Sequence, residues 1–328
     1  MTTTKPNRIP APTAAAAVTP GVVVALLTVY LVWGSTYLAI KYAVAGLPPF
    51  LAMGARFLLA GSVLAAVLLA RRGRAVFRMT RGEGLSAVLC GLFLLVGGNG
   101  VVAVAEQDVD SGLAALLIAG TPLWVVVLRA ALRDRPSAGT VAGLLLGVTG
   151  VGVLLLPGVR GTADLGALML VCLSSFLWSC GTVLATRRRM PADPFVTSVV
   201  QMATGGVALL VLGWLGGEWG RLDLAGTRGS SWIAFFYLVL VGSIVGYSAY
   251  VWLISRAPLS LATTYAYVNP AVAVALGALF RSEPLTSNVL VGGAIIIAAV
   301  AWVITSEARA RSRPLPGPDE GASPVEPT

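Results

Sequence analysis

Ten long apolar segments are the feature that most constrains what this chain can fold into. Each is close to the length of about 20 apolar residues that an α-helix needs to cross the hydrocarbon core of a bilayer. They lie at 21–42, 48–70, 84–105, 111–132, 139–156, 165–186, 195–216, 231–254, 259–280 and 286–306. Because lipid cannot hydrogen-bond an open backbone, we expect each segment to be helical. The sequence therefore predicts an all-α integral membrane protein with ten transmembrane helices.

The composition and the placement of charge agree with a membrane protein. Of the 328 residues, 57% are hydrophobic and 11% are charged, whereas soluble domains carry about 25% charged residues. The net charge of +9 comes from short basic runs between apolar segments, such as 187–189. Such runs are typical of cytoplasmic loops rather than of nucleic-acid-binding surfaces. We expect both termini in the cytoplasm and the chain in the inner (plasma) membrane.

An internal repeat divides the chain into two halves of five segments. The equivalent positions include Trp33 and Trp178, Gly98 and Gly246, Asn99 and Tyr247, and Pro122 and Pro270. An odd number of spans places the second half upside down, which gives an inverted repeat with a shared site near the membrane midplane. The predicted units are a disordered arm at 1–20, repeats at 21–156 and 165–306, and a disordered tail at 307–328.

The order of several motifs along the chain resembles the EamA branch of the drug/metabolite transporter superfamily, and within it the YedA-like subgroup. The motifs are Trp33-Gly34-Ser35-Thr36-Tyr37, Pro48-Pro49 with Arg56-Phe57, Gly98-Asn99-Gly100, Ala105-Glu106-Gln107 with Ser111-Gly112, and Tyr265 to Pro270. This resemblance implies ten helices around a central cavity that both halves line, and the transport of small metabolites such as amino acids. It does not fix the solute.

Polar and aromatic residues at mid-membrane depth are the candidates for a substrate site. Tyr30, Trp33, Tyr37 and Lys41 follow at helical spacing and share one face of the first span. Our cavity candidates are Trp33, Tyr37, Asn99, Thr121, Trp124, Tyr247, Tyr265 and Asn269. The alternative for each is helix–helix packing, because a buried Asn or Tyr also finds partners on neighbouring helices.

Charged residues inside the spans point to a gate or a coupling site. Arg56 lies well inside the second span, where a charge is costly unless it is paired or faces water. Glu106 closes the third span on the same side, and Lys41 lies near it at the end of the first span. We expect an Arg56–Glu106 pair at an outer gate, with a purely structural ion pair as the alternative.

Prolines near the middle of the fourth and ninth spans are hinge candidates. Pro122 and Pro270 each remove a hydrogen bond to the carbonyl four residues earlier, at Ile118 and Ala266. A freed carbonyl or a bend at this depth can serve a substrate site or a hinge. A bend that is tolerated because neighbouring helices pack around it is the alternative.

These features favour a secondary transporter that works by alternating access, with export as the expected direction. The alternatives are a channel or a non-transporting membrane scaffold. The sequence lacks a nucleotide-binding loop, histidines and a catalytic cluster, so we predict no enzyme activity, no cofactor and no metal. The expected partners are a small-molecule solute and the lipid bilayer, without nucleic acid or nucleotide, in a monomer or a homodimer.

Overall fold

The computed structural model describes residues 19–133, 137–155, 164–257, 259–262 and 264–311, and these residues form helices without any strand. We label ten helical stretches in chain order. They are α1 Pro20–Val44, α2 Pro49–Arg72, α3 Arg81–Ala105, α4 Ser111–Ala131, α5 Ala138–Leu155, α6 Leu165–Arg187, α7 Pro194–Leu215, α8 Gly229–Arg256, α9 Tyr265–Arg281 and α10 Ser287–Arg311. A short turn of helix, Leu259–Ala262, precedes α9. The all-helical prediction is confirmed for this part of the chain.

Seven of the described helices are long and apolar enough to cross a membrane, namely α1 to α4 and α6 to α8. Three shorter apolar stretches lie within α5, α9 and α10, at Ala138–Leu154, Val268–Arg281 and Ser287–Val303. The structure thus establishes a multi-pass helical membrane protein. Most of the predicted arm and tail, at 1–18 and 312–328, lies outside the described residues, and α10 continues past the predicted end at 306 to Arg311.

Local sequence signals explain where several helices begin. Thr19 precedes α1, and its hydroxyl accepts a hydrogen bond from the Val22 amide at 3.4 Å. Thr80 and Glu83 form a reciprocal capping box at the start of α3. Asp193 caps α7 by accepting a bond from the Phe195 amide at 2.8 Å. These side chains satisfy amide groups that the first helical turn leaves without an intrahelical partner.

Large apolar side chains cover the outside of the helical bundle. Leu27, Leu31, Ile233 and Leu279 are exposed by 52%, 64%, 74% and 74%. A soluble protein rarely exposes so much contiguous apolar surface. These side chains are placed to contact lipid, which agrees with the membrane assignment.

Helices of one half pack on helices of the other half, and these contacts are related by the internal repeat. Helix α2 packs on α7, and α5 packs on α10, so equivalent helices meet each other directly. Helix α1 packs on α8 and α9, while its equivalent α6 packs on α3 and α4. Each contact that α1 makes with the second half therefore corresponds to a contact that α6 makes with the first half.

Glycines allow the close approach of α2 and α7. A Cβ on Gly61 would lie 3.0 Å from the Met202 Cβ, and a Cβ on Gly206 would lie 2.7 Å from the Leu58 Cγ. Gly61 and Gly206 occupy equivalent positions in the two halves. Small residues at such a contact let helix backbones pack closely where no hydrophobic force drives association.

Four helices depart from regular α geometry near the centre of the molecule. Helix α3 contains a π-helical stretch at Leu92–Gly100, and its equivalent α8 contains one at Leu238–Tyr247. Helix α4 breaks between Ile118 and Thr121, and α9 starts only after the separate turn at Leu259–Ala262. Such π-helical segments frequently mark functional sites.

Candidate functional site

A cavity between the two halves holds most of the sequence-predicted site residues. The space between the atoms that line it is about 600 Å³, including the part that opens to solvent. We call it the central cavity. Its lining consists of Trp33, Thr36, Tyr37, Ile40, Arg56, Phe57, Gly98, Asn99, Val102, Ile118, Ser174, Trp178, Gly242, Tyr247 and Tyr265.

Five of the eight predicted cavity residues line this space. They are Trp33, Tyr37, Asn99, Tyr247 and Tyr265. Both halves contribute, since the first three lie in the first repeat and the last two lie in the second. Asn99 and Tyr247, which the repeat equates, thus face the same cavity from opposite halves.

The other three predicted cavity residues lie outside the lining. Thr121 is buried and donates to the Ile118 carbonyl at 2.6 Å. Trp124 is 37% exposed on the surface and packs edge-on against Phe176. In the amide orientation that satisfies both of its polar atoms, the Asn269 side-chain nitrogen donates to the Tyr265 carbonyl at 3.2 Å and to the Tyr30 carbonyl at 3.1 Å. For these residues the geometry matches the packing alternative.

A cluster of aromatic rings forms one wall of the central cavity. The Trp33 ring lies edge-on to Trp178 and to Tyr265, with 5.3 Å between ring centroids in each pair. Tyr250 packs against Trp33 at 4.6 Å and against Trp178 at 5.5 Å. The prediction omitted Trp178, although the internal repeat equates it with Trp33 and was the signal that pointed to it.

The two equivalent tryptophans each pack against a glycine, and these two glycines are also equivalent. A Cβ on Gly98 would lie only 2.5 Å from the Trp178 Cε3, and a Cβ on Gly246 would lie 3.0 Å from the Trp33 Nε1. In each pair the glycine and the tryptophan come from different halves. The absence of a side chain at these two glycines therefore sets how closely the halves approach beside the cavity.

A second cavity lies beyond the aromatic wall. Its lining includes the loop after α6 and the end of α8, with Met190, Pro191 and Arg256. The space between the lining atoms is about 630 Å³, including the part that opens to solvent. Tyr250 and Gln201 face this second cavity. The Tyr247 hydroxyl donates to the Gln201 Oε1 at 2.7 Å, so one layer of side chains separates the two cavities.

Arg56 is a buried cation in the wall of the central cavity. It is 3% exposed, and its Nε donates to the Ser243 hydroxyl at 2.7 Å. Its Nη1 contacts the Met53 sulfur at 3.4 Å. Both partners are uncharged, so the guanidinium is anchored without a carboxylate partner among the described residues.

Glu106 is buried close to Arg56 but does not form the expected direct pair with it. Both carboxylate oxygens of Glu106 lack a hydrogen-bond partner among the described residues. Burial raises the pKa of Glu106 well above its ordinary value, and the charges of Lys41 and Arg56 only partly oppose that rise. Lys41 instead donates to the carbonyls of Gln107 at 3.3 Å and Val109 at 2.9 Å.

Two other glutamates bind the starts of helices across the halves. The Glu218 carboxylate accepts bonds from the Phe50 amide at 3.2 Å and the Leu51 amide at 2.8 Å, at the start of α2. Glu283 accepts bonds from the amides of Ser111 and Gly112, both at 3.0 Å, at the start of α4. A carboxylate at a helix N-terminus accepts hydrogen bonds from free amides and interacts favourably with the positive end of the helix dipole. Sequence reasoning missed both contacts.

The two hinge candidates differ in their surroundings. Pro122 lies in the first turn of the helix that restarts after the break in α4, a position where proline removes no intrahelical bond. The Ile118 carbonyl, which we expected to be free, accepts the Thr121 hydroxyl instead. Pro270 lies inside α9, where a proline does disturb the ladder. The prolines are thus equivalent in sequence but not in helical context.

Comparisons with known proteins agree with this architecture. The sequence model of the EamA-like transporter family matches residues 19–156 and again residues 165–305. The chain is 34% identical over 295 residues to the "uncharacterized inner membrane transporter YedA" of Escherichia coli K12, covering 90% of this chain and 94% of that protein. It is 26% identical over 287 residues to a "probable amino-acid metabolite efflux pump" of Salmonella typhimurium, covering 84% and 91% of the two chains.

A solved crystal structure shares the fold. Its chain is 23% identical to this one, the TM-score is 0.62, and the match covers 89% of this chain and 99% of the other. Since the family model matches twice along most of the sequence, each match falls on one half of the fold described above. The chain therefore belongs to the EamA-like transporter family.

Proposed function

We propose that the chain is a secondary transporter that exports small organic solutes across the inner membrane by alternating access around the central cavity. The observation that carries the proposal is a cavity between the helices whose wall is built by equivalent residues of both halves. Trp33 and Trp178, and Asn99 and Tyr247, line it as exchanged pairs. An enzyme would need a catalytic cluster, and the cavity presents one charged side chain among its described lining residues.

The exchange of helix contacts supports ten spans in two inverted repeats. Helices α2 with α7 and α5 with α10 meet their own equivalents, as they do around a two-fold axis in the membrane plane. In this proposal α5, α9 and α10 also cross the bilayer, although each contains a shorter apolar stretch than the other seven. The two halves then rock about the α2–α7 and α5–α10 contacts.

The basic loops support a topology with both termini in the cytoplasm. Arg187 ends α6 and is followed by two more arginines, and Arg256 ends α8. The second cavity therefore lies on the positive, cytoplasmic side. The central cavity then lies toward the outer side of the aromatic wall. Alternating access requires a thin barrier of this kind, and the Tyr247–Gln201 hydrogen bond is part of it.

The sequence-predicted roles that remain proposals concern the moving parts. Arg56 and Glu106 are gate or coupling residues, and Glu106 suits proton coupling because its carboxyl group is buried without a partner. Pro122 and Pro270 are hinges at the breaks and bends of α4 and α9. The relative from Salmonella typhimurium, described as an efflux pump for amino-acid metabolites, supports amino-acid-like solutes and an export direction.

Counterflow in proteoliposomes tests the proposed function. Purified full-length protein is reconstituted, loaded with unlabelled L-leucine, L-phenylalanine or uracil, and exposed to a trace of the same labelled solute. We expect saturable uptake that preloading accelerates for at least one solute. Uptake that rises linearly with concentration favours a channel, and uptake equal to that of protein-free liposomes for every solute favours a scaffold. Either result contradicts the proposal.

A further inference from the structure

Arg56 has donor groups that no described residue accepts from. Its two hydrogen bonds use Nε and Nη1, to Ser243 and Met53. The remaining nitrogen, Nη2, lies beside Gly242, where a Cβ would be 3.1 Å from it. Gly242 lines the central cavity as Arg56 does, so the unused end of the guanidinium lies where the cavity wall has no side chain.

The equivalent position in the second half shows that the fold does not need a cation here. Gln201 stands where the internal repeat places Arg56, and its amide oxygen is satisfied by the Tyr247 hydroxyl at 2.7 Å. Both residues are buried, at 3% exposure for Arg56 and 2% for Gln201. A neutral side chain therefore serves the same helix packing in α7. The Phe57 ring, whose centroid lies 4.7 Å from the Arg56 guanidinium carbon, offsets part of the cost of burying a charge in α2. The rest remains to be offset by something else.

Among the residues that the structure describes, no anion contacts the buried charge of Arg56. Glu106 is the nearest acidic candidate from the sequence, yet its oxygens bond to no described residue. Because burial raises the pKa of Glu106, this carboxyl group tends toward its neutral form and offers still less compensation. Within the described lining, Arg56 is the one charged side chain, and rings from Trp33, Tyr37 and Trp178 surround the same space.

We infer that Arg56 is the anion-binding residue of the central cavity and that the solute carries a single carboxylate on an apolar or aromatic body. A guanidinium pairs with a planar carboxylate through parallel N–H···O bonds, and a low-dielectric site strengthens such bonds. The aromatic rings accommodate the body of the solute, and Asn99 adds an amide to the same wall. This inference rests on the proposed transport function and specifies its substrate class.

Paired probes in which a neutral carboxamide replaces the carboxylate test the inference. The purified full-length protein in detergent is heated with L-leucine, L-phenylalanine or benzoate, and with L-leucinamide, L-phenylalaninamide or benzamide. We expect at least one carboxylate to raise the unfolding temperature while its amide does not. The inference is overturned if none of the three carboxylates raises the unfolding temperature, or if an amide raises it as much as its carboxylate does. This test needs no variant of the protein.

Substitution then assigns the effect to one residue. Arg56→Gln introduces the side chain that the second half already tolerates, and we expect the affinity for the stabilising carboxylate to fall about 10- to 100-fold, as a lost charge-assisted bond implies. Arg71→Gln, on the exposed end of the same helix, is the matched control and keeps the affinity. Retained affinity in Arg56→Gln overturns the assignment.

A second substitution keeps the test available if Arg56→Gln does not fold. Arg56→Lys is then measured instead, and we expect weaker carboxylate binding because lysine offers no planar fork. Unchanged binding in Arg56→Lys overturns the bidentate geometry.

The transport proposal and the carboxylate inference can fail separately. Saturable counterflow of uracil, together with no binding of any carboxylate, supports transport and overturns the carboxylate inference.

Discussion

The contact of Gly98 with Trp178 gives a sharp test of how the halves meet beside the cavity. An alanine Cβ at Gly98 would lie 2.5 Å from the Trp178 Cε3, whereas carbon atoms pack best at about 3.5–4.0 Å. The ring must therefore move by about 1 Å. Trp33 and Tyr250 hold that ring from two other sides, so we expect the Gly98→Ala variant to be overpacked.

The size of the effect follows from comparison with a glycine that has free space. Gly152 in α5 has no described atom within 4 Å of a built Cβ, so Gly152→Ala should gain about 0.5–1 kcal/mol from helix propensity alone. Gly98→Ala receives a similar gain but loses about 1–3 kcal/mol to overpacking. The difference between the two variants should thus be about 1–3 kcal/mol in the free energy of unfolding.

Equilibrium unfolding in mixed micelles measures this difference, and a double-mutant cycle identifies its cause. In a Trp178→Leu background the Gly98→Ala penalty should shrink by about 1 kcal/mol or more, because the clashing ring is gone. The mirror contact of Gly246 with Trp33 should behave in the same direction. If Gly98→Ala is as stable as Gly152→Ala and shows no coupling to Trp178, the account of this contact is wrong.

Three further predictions concern buried polar groups. Glu218→Ala should lower the free energy of unfolding by about 2–4 kcal/mol, because it removes two charged acceptors from the start of α2; Asp223→Ala, in an exposed loop, should change thermal unfolding little. The raised pKa of Glu106 means that the folded chain binds its proton more tightly than the unfolded chain. Stability should fall as pH rises above the ordinary carboxyl range, and Glu106→Gln should flatten this fall in melting curves recorded as a function of pH; parallel curves count against it. Tyr247→Phe leaves the Gln201 oxygen without its donor and should cost about 1–3 kcal/mol by the same unfolding assay, with an unchanged value as the contrary result.

Helix positions could be predicted because the bilayer imposes a length on every apolar segment. The start of α6 at 165 and the start of α4 at 111 agree with the predicted starts, and α1 and α2 differ from the prediction by one or two residues at each end. The main departure is the ninth segment, where the turn at Leu259–Ala262 precedes α9. Length and hydropathy do not signal this break, because the short turn and the helix that follows are both largely apolar.

The cavity could be predicted only in part, because side-chain direction and partners depend on tertiary packing. Depth and residue type place Asn99 and Asn269 in the same class, but Asn269 donates to two carbonyls while Asn99 lines the cavity. Trp178 shows that a repeat carries information that residue type alone does not. Arg56 and Glu106 were recognised by their charge at depth, whereas the choice of Ser243 as the partner of Arg56 required the fold.

Labelling of the central cavity from the two sides of the membrane is the decisive test of alternating access. A cysteine at Asn99, which lines the cavity, is treated with a charged, membrane-impermeant thiol reagent in right-side-out and in inside-out vesicles. A cysteine at Leu27, whose side chain is 52% exposed on the apolar exterior, is the control, and the reaction of the three native cysteines is subtracted. The account predicts that Asn99→Cys reacts from both sides, that solute shifts the balance between them, and that Leu27→Cys reacts from neither. Reaction of Asn99→Cys from one side alone, whatever solute is present, would contradict it.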